Sequence, residues 1–112
     1  MSKGEDALGE LLRQTFPHHV LIAQHPIKIG RQTLYVDYYI PALCLAFEFD
    51  GVQHSKYVGR FHGNLQGFAH SQNNDDAKDE WLSDKGIHLI RFKYNESVNQ
   101  FTLASKIKDA TN

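Results

Sequence analysis

The chain has 112 residues and a formal net charge of −1, from 12 lysines and arginines against 13 aspartates and glutamates. That length sets one domain over 1–112, and a 41% hydrophobic, 12% aromatic composition argues for a folded rather than a disordered chain. The near-neutral balance excludes nucleic-acid binding by bulk positive charge, and a single cysteine excludes a disulfide framework or a thiolate zinc cluster.

No apolar run reaches the roughly 18 residues of a membrane span. The segment Met1-Ser2-Lys3-Gly4-Glu5-Asp6 has no signal-peptide apolar core. A soluble cytoplasmic protein with no membrane partner is expected.

The first predicted element is a helix over Asp6–Phe16. Apolar residues at 8, 11, 12 and 16 form a stripe, acids sit at its start and Pro17 marks its end. Val20–Ile29 reads as a first strand, with Pro26 placing it at an edge. Gly30-Arg31-Gln32 is a turn. Leu34–Ile40 is a second strand, rich in β-branched and aromatic residues. Pro41-Ala42 turns the chain into Leu43–Asp50, an apolar strand of the kind covered on both faces, with Cys44 expected in the core. Residues 51–74 read as a long loop, of a length that in compact domains usually carries function or disorder. Asp75–Lys85 is a second helix, capped by Asn73 or Asn74 and ended by Gly86. Ile87–Phe92 is a fourth strand and Ser97–Ala110 a terminal helix. The expected fold is α/β in the order α-β-β-β-α-β-α, a central mixed sheet of about four strands flanked by helices.

The chemistry concentrates in Ala46-Phe47-Glu48-Phe49-Asp50-Gly51-Val52-Gln53-His54. Alternation puts Glu48 and Asp50 on one face, Phe47 and Phe49 on the other. A charge in so apolar a strand is costly unless paired or metal-bound, and a divalent cation resolves the mutual repulsion of two carboxylates. A hairpin about Pro41-Ala42 brings Asp37 near the Leu43–Ala46 part of its partner, within reach of the same patch, although a one-residue slip would flip its side. Hard oxygen ligands suit Mg²⁺ or Mn²⁺, which activate water and stabilise the leaving oxygen of a phosphodiester. Ordinary ion pairing with Arg31, Arg91 or Lys93 is the competing reading. Gly51 permits a tight turn that returns His54 toward the acids, as general base, metal ligand or phosphate contact, with Gln53 a weaker candidate. On the second helix Asp75, Lys78 and Asp79 share one face.

Four segments, Tyr35-Val36-Asp37-Tyr38-Tyr39-Ile40-Pro41, Leu45–His54, Asp75–Leu82 and Gly86–Phe92, together resemble the very-short-patch-repair-like (Vsr-like) branch of the restriction-endonuclease-like PD-(D/E)XK nuclease superfamily. The resemblance covers roughly residues 5–95. It implies a restriction-endonuclease-like three-layer fold and metal-dependent DNA cleavage. Asp37 and Glu48 match the family's metal-binding acids. Asp50 stands where many members carry lysine and this branch often carries an acid. His54 matches the branch's histidine, an acid/base group, and Asp79 an acid of its helix motif. Lys78 would supply the charge of the missing lysine. Glu10 sits where a first-helix acid sometimes completes the site. The zinc site of the mismatch-repair enzymes has no counterpart here.

The resulting expectation is a Mg²⁺- or Mn²⁺-dependent endodeoxyribonuclease. Its catalytic set is Asp37, Glu48, Asp50, His54, Lys78 and Asp79, with metal on Asp37, Glu48 and Asp50. Lys56, Arg60 and Lys78 would contact the DNA backbone. One active site per chain nicks; a double-strand break needs a homodimer or two events. The bare architecture fits a phage or mobile-element protein, or a subunit that takes specificity from a partner. A non-catalytic nucleic-acid-binding or interaction module on the same fold, and a ribonuclease, are the alternatives.

Overall fold

A computed structural model describes residues 3–51 and 76–112. Helix α1 spans Lys3–Thr15 and buries Leu8, Leu11 and Leu12. Glu5 and Asp6 in its first turn and Arg13 in its last complement the helix dipole. Strand β1 (Ile22–Ile29) pairs antiparallel with β2 (Gln32–Ile40). Gly30, at φ +61°, supplies the left-handed first position that a two-residue hairpin loop requires. A 3-10 turn, Pro41–Leu43, leads to β3 (Leu45–Asp50), antiparallel to β2.

A second helix, α2, occupies 76–84 and ends at Gly86, whose φ is +73°. Strand β4 (His88–Lys93) then lies parallel to β3, as a crossover connection permits. Helix α3 (Gln100–Thr111) is capped by Asn99, whose side chain accepts the Thr102 N–H at 2.8 Å. That cap starts the helix three residues later than the apolar pattern predicts.

The four strands form one mixed sheet in the order β1-β2-β3-β4. One face carries Phe47 and Leu45 of β3, Ile90 and Phe92 of β4, and Tyr38 and Ile40 of β2, packed against the leucines of α1 and Leu103 of α3. The opposite face carries Ile27, Val36 and Ala46 against Leu82 of α2. The architecture is therefore α/β, with helices on both faces of a mixed four-stranded sheet. β3 is central, and each large side chain buried along it contributes about 2 kcal/mol.

Two expectations are corrected. Cys44 is exposed. It caps the 3-10 turn in a left-handed conformation (φ +53°), donates its N–H to the Pro41 carbonyl, and stands outside β3. The apolar run thus contains a corner. That corner also moves the register, which aligns Tyr38 with Phe47 and Ile40 with Leu45. Asp37 is carried past Leu43–Ala46 to the level of Glu48.

A local break in the β1–β2 ladder helps to place Asp37. Strict alternation would put Val36 and Tyr38 on one face, yet they pack in opposite layers. The residue between them is Asp37. Its register neighbour on β1, Gln24, adopts φ +52° and drops out of the pairing. A non-glycine residue at positive φ is uncommon and costs on the order of 1 kcal/mol.

Candidate active site

The site is built where β2 and β3 diverge. Their ladder ends at Tyr38 and Phe47. One step further, the Asp37 Oδ2 accepts the backbone N–H of Phe49 at 2.8 Å, taking the amide that the next rung would have used. This fixes the Asp37 carboxylate at the level of Glu48. Glu48 shares the face of Ala46, so it projects into the layer between the sheet and α2.

Two cations meet Glu48 there. Lys78 of α2 is 9% exposed, and its Nζ donates to the Tyr35 carbonyl at 3.0 Å and to Glu48 Oε2 at 2.8 Å. Arg91 of β4 is the direct register partner of Glu48. Its Nη2 donates to Glu48 Oε1 at 3.4 Å and to Asp79 Oδ1 of α2 at 3.1 Å. A cleft of about 410 Å³ opens along β4, with Asp79, Arg91 and His88 in its wall.

Burial pushes the Glu48 carboxyl above its ordinary value of 4.5, outweighing the hydrogen bond and charge of Lys78 and the charge of Arg91; the Asp37 charge adds to the rise. Glu5 of α1 is raised as well, first by burial and then by the Asp37 charge. Gln24 Nε2 donates to Glu5 Oε2 at 3.0 Å, and the Tyr38 hydroxyl donates to the Glu5 carbonyl at 3.1 Å. Asp37 therefore lies in the field of carboxylates from two other elements.

The residues singled out from the sequence divide into three groups. Asp37, Glu48, Lys78 and Asp79 are gathered at one place. Asp50 follows on the same face of β3, at the strand end, in register with Lys93. Glu10 is exposed on α1, and the α1 acid that feels Asp37 is Glu5. His54, Gln53, Lys56, Arg60 and Asp75, with nearly all of the loop 51–74, lie outside the described residues. Among the described residues, no group of three or more His, Cys, Asp or Glu side chains is arranged to hold a metal ion.

Arg91 was visible in the sequence only as an ion-pair partner. Its signal is a charge in the middle of β4, on the Leu89 face between apolar Ile90 and Phe92. Glu5 carried no sequence signal beyond its place in the first helical turn.

No family model matches the chain, and no solved structure matches it. The chain is similar to the uncharacterized protein 307L of Invertebrate iridescent virus 6, with 33% identity over 81 residues. Those residues are 72% of this chain and 41% of the viral protein, so the match spans about two fifths of that relative's length. Among the described residues no helix is long and apolar enough to cross a membrane.

Proposed function

We propose that the chain is a metal-dependent endodeoxyribonuclease with a restriction-endonuclease-like fold of the very-short-patch-repair-like branch. The observation that carries this reading is the partly buried Glu48 carboxylate, level with Asp37 across the β2–β3 divergence and gripped by Lys78 from the facing helix.

The donor chemistry fits a hard divalent cation. Asp37 and Glu48 are oxygen donors, and a carboxylate offers about four lone-pair positions. Lys78 and Arg91 lower the Glu48 carboxyl, while burial raises it above its ordinary value. Asp37 and Glu48 would hold Mg²⁺ or Mn²⁺. Bound there, such an ion supplies an activated water and charge stabilisation at the leaving oxygen. Asp37 is fixed by the Phe49 amide, so its carboxylate needs little reorganisation to bind. Lys78 fixes the Glu48 carboxylate and holds positive charge beside it, where a phosphodiester anion would approach. His54 remains the proposed acid/base group, and Lys56 and Arg60 the proposed backbone contacts. The substrate in this reading is DNA. A double-strand break would require a second copy of the chain.

A second reading, a non-catalytic nucleic-acid-binding module on the same fold, is favoured by one observation. Both Glu48 oxygens already accept bonds from cationic side chains.

Nicking of supercoiled plasmid tests the two. Wild type is compared in Mg²⁺, Mn²⁺ and EDTA beside Asp37→Asn and Glu48→Gln. Metal-dependent nicking lost in both variants is expected. Tight DNA binding without metal uptake or nicking would select the binding module, and cleavage of matched RNA in preference to DNA would make the enzyme a ribonuclease.

A further inference from the structure

Lys78 and Arg91 both bind Glu48, but they are built differently. Lys78 is a point charge on a flexible stem, and its ammonium is shared between a carboxylate and the Tyr35 backbone carbonyl. Arg91 stands on the neighbouring strand in direct register with Glu48 and bridges two carboxylates from two layers, Glu48 on the sheet and Asp79 on α2. Both contacts leave from one nitrogen, Nη2, at 3.4 Å to Glu48 Oε1 and 3.1 Å to Asp79 Oδ1, so the guanidinium ties the two carboxylates together at a single point. Glu48's side chain is 13% exposed, so solvent contributes little to its orientation.

We infer that Arg91 is a positioning residue for the cation site, holding Glu48 Oε1 by bridging it to Asp79 while Lys78 holds Oε2. The assignment rests on the metal-site part of the proposed function. It goes beyond that reading by giving β4 a role in metal affinity.

Opposed signs make it testable. If Arg91 acted only as a nearby positive charge, removing it would relieve repulsion and tighten divalent-cation binding. If it positions Glu48, removing it weakens binding, as loss of partners supporting a ligand commonly does by about 10–100-fold. Lysine at 91 would keep the charge but lose the guanidinium bridge.

The experiment is calorimetric or EPR titration of Mn²⁺ into wild type, Arg91→Ala and Arg91→Lys. Thermal unfolding without metal and plasmid nicking are run on the same preparations. Mn²⁺ affinity about tenfold weaker in both variants is expected, with Arg91→Lys closer to wild type in thermal stability. Unchanged or tighter binding in Arg91→Ala, or wild-type affinity in Arg91→Lys, overturns the assignment. Wild type that takes up no Mn²⁺ overturns it together with the metal reading. Wild type that binds Mn²⁺ but leaves DNA intact removes the nuclease reading alone, and the Arg91 comparison still decides the positioning role.

Discussion

Asp37 takes the Phe49 N–H at 2.8 Å, so one carboxylate both closes the β2–β3 ladder and faces the Glu48 level. Structure and chemistry can be separated at this residue. Asp37→Asn keeps an acceptor oxygen for the amide and should cost under about 1 kcal/mol of stability. Asp37→Ala leaves that amide without this partner and should cost about 1–2 kcal/mol. Both should abolish metal-dependent nicking. Urea unfolding beside the nicking assay checks this; residual activity in Asp37→Asn would remove Asp37 from the metal set.

Lys78 and Glu48 form a pair with side chains 11% and 13% exposed. Breaking such a pair from one side should be more costly than removing both charges. Lys78→Met should destabilise by about 3 kcal/mol, and Lys78→Met with Glu48→Gln by less than the sum of the singles. A double-mutant cycle by urea denaturation measures the difference. Additive losses would mean that the two groups are not coupled.

Glu5 and Glu48 both have folded-state values raised above 4.5, each chiefly by burial. Between 4.5 and the raised values the folded chain holds more protons than the unfolded chain. Stability from these two groups is therefore fully present below 4.5 and is lost as pH rises through their folded-state values. Without metal, the melting temperature should carry a declining component above pH 4.5. Mn²⁺ competes with protons for Glu48 and should reduce or reverse that component. Melting curves across pH in EDTA and in Mn²⁺ provide the check; Glu5→Gln should flatten the EDTA curve.

Glu96 runs the other way. Its carboxyl is held below the ordinary 4.5, first by the Lys106 side-chain bond and then by the Lys93 amide. The stability it contributes is present above 4.5 and lost as pH falls through its lowered value. The pair with Lys106, at 2.7 Å, is partly exposed, so Glu96→Gln should cost only about 0.5 kcal/mol at neutral pH. The loss should vanish in acid, as read by denaturation at two pH values.

Gly9 lies under the Tyr38 hydroxyl, where an added Cβ would collide with it. That contact lets α1 approach β2 closely enough for Tyr38 to donate to the Glu5 carbonyl. Gly9→Ala should destabilise by about 1–3 kcal/mol through overpacking, despite the better helix propensity of alanine. Gly9→Ala with Tyr38→Phe should recover part of the loss in thermal unfolding.

Periodicity and turn residues made the order of helices and strands legible, because most apolar positions pack, although Phe101 of α3 stands 84% exposed. The neighbourhood of Asp37, Glu48, Lys78 and Asp79 was legible too, because acids within apolar strands and a helix face carrying both signs are conspicuous against an apolar background. The level of Asp37 on β3 was not. It depends on a 3-10 turn and a left-handed Cys44, which an unbroken apolar run conceals. Arg91 was named as an ion-pair partner of these acids, and it does pair with Glu48; which acid it meets was not legible. Its contact with Glu48 follows from the parallel register of β4, set by a crossover whose length says nothing about alignment. Glu5 rather than Glu10 faces Asp37 because of the way α1 crosses the sheet, which helical spacing alone does not determine.

The Glu96 contact has a consequence for assembly. β4 ends the sheet among the described residues, and the His88 N–H points inward, to the Cys44 carbonyl. Alternation turns the Lys93 N–H outward, where Glu96 already occupies it at 2.8 Å while bound to Lys106. A foreign strand extending along β4 would have to displace an ion-paired carboxylate at that end, one of the ways in which sheet edges are guarded.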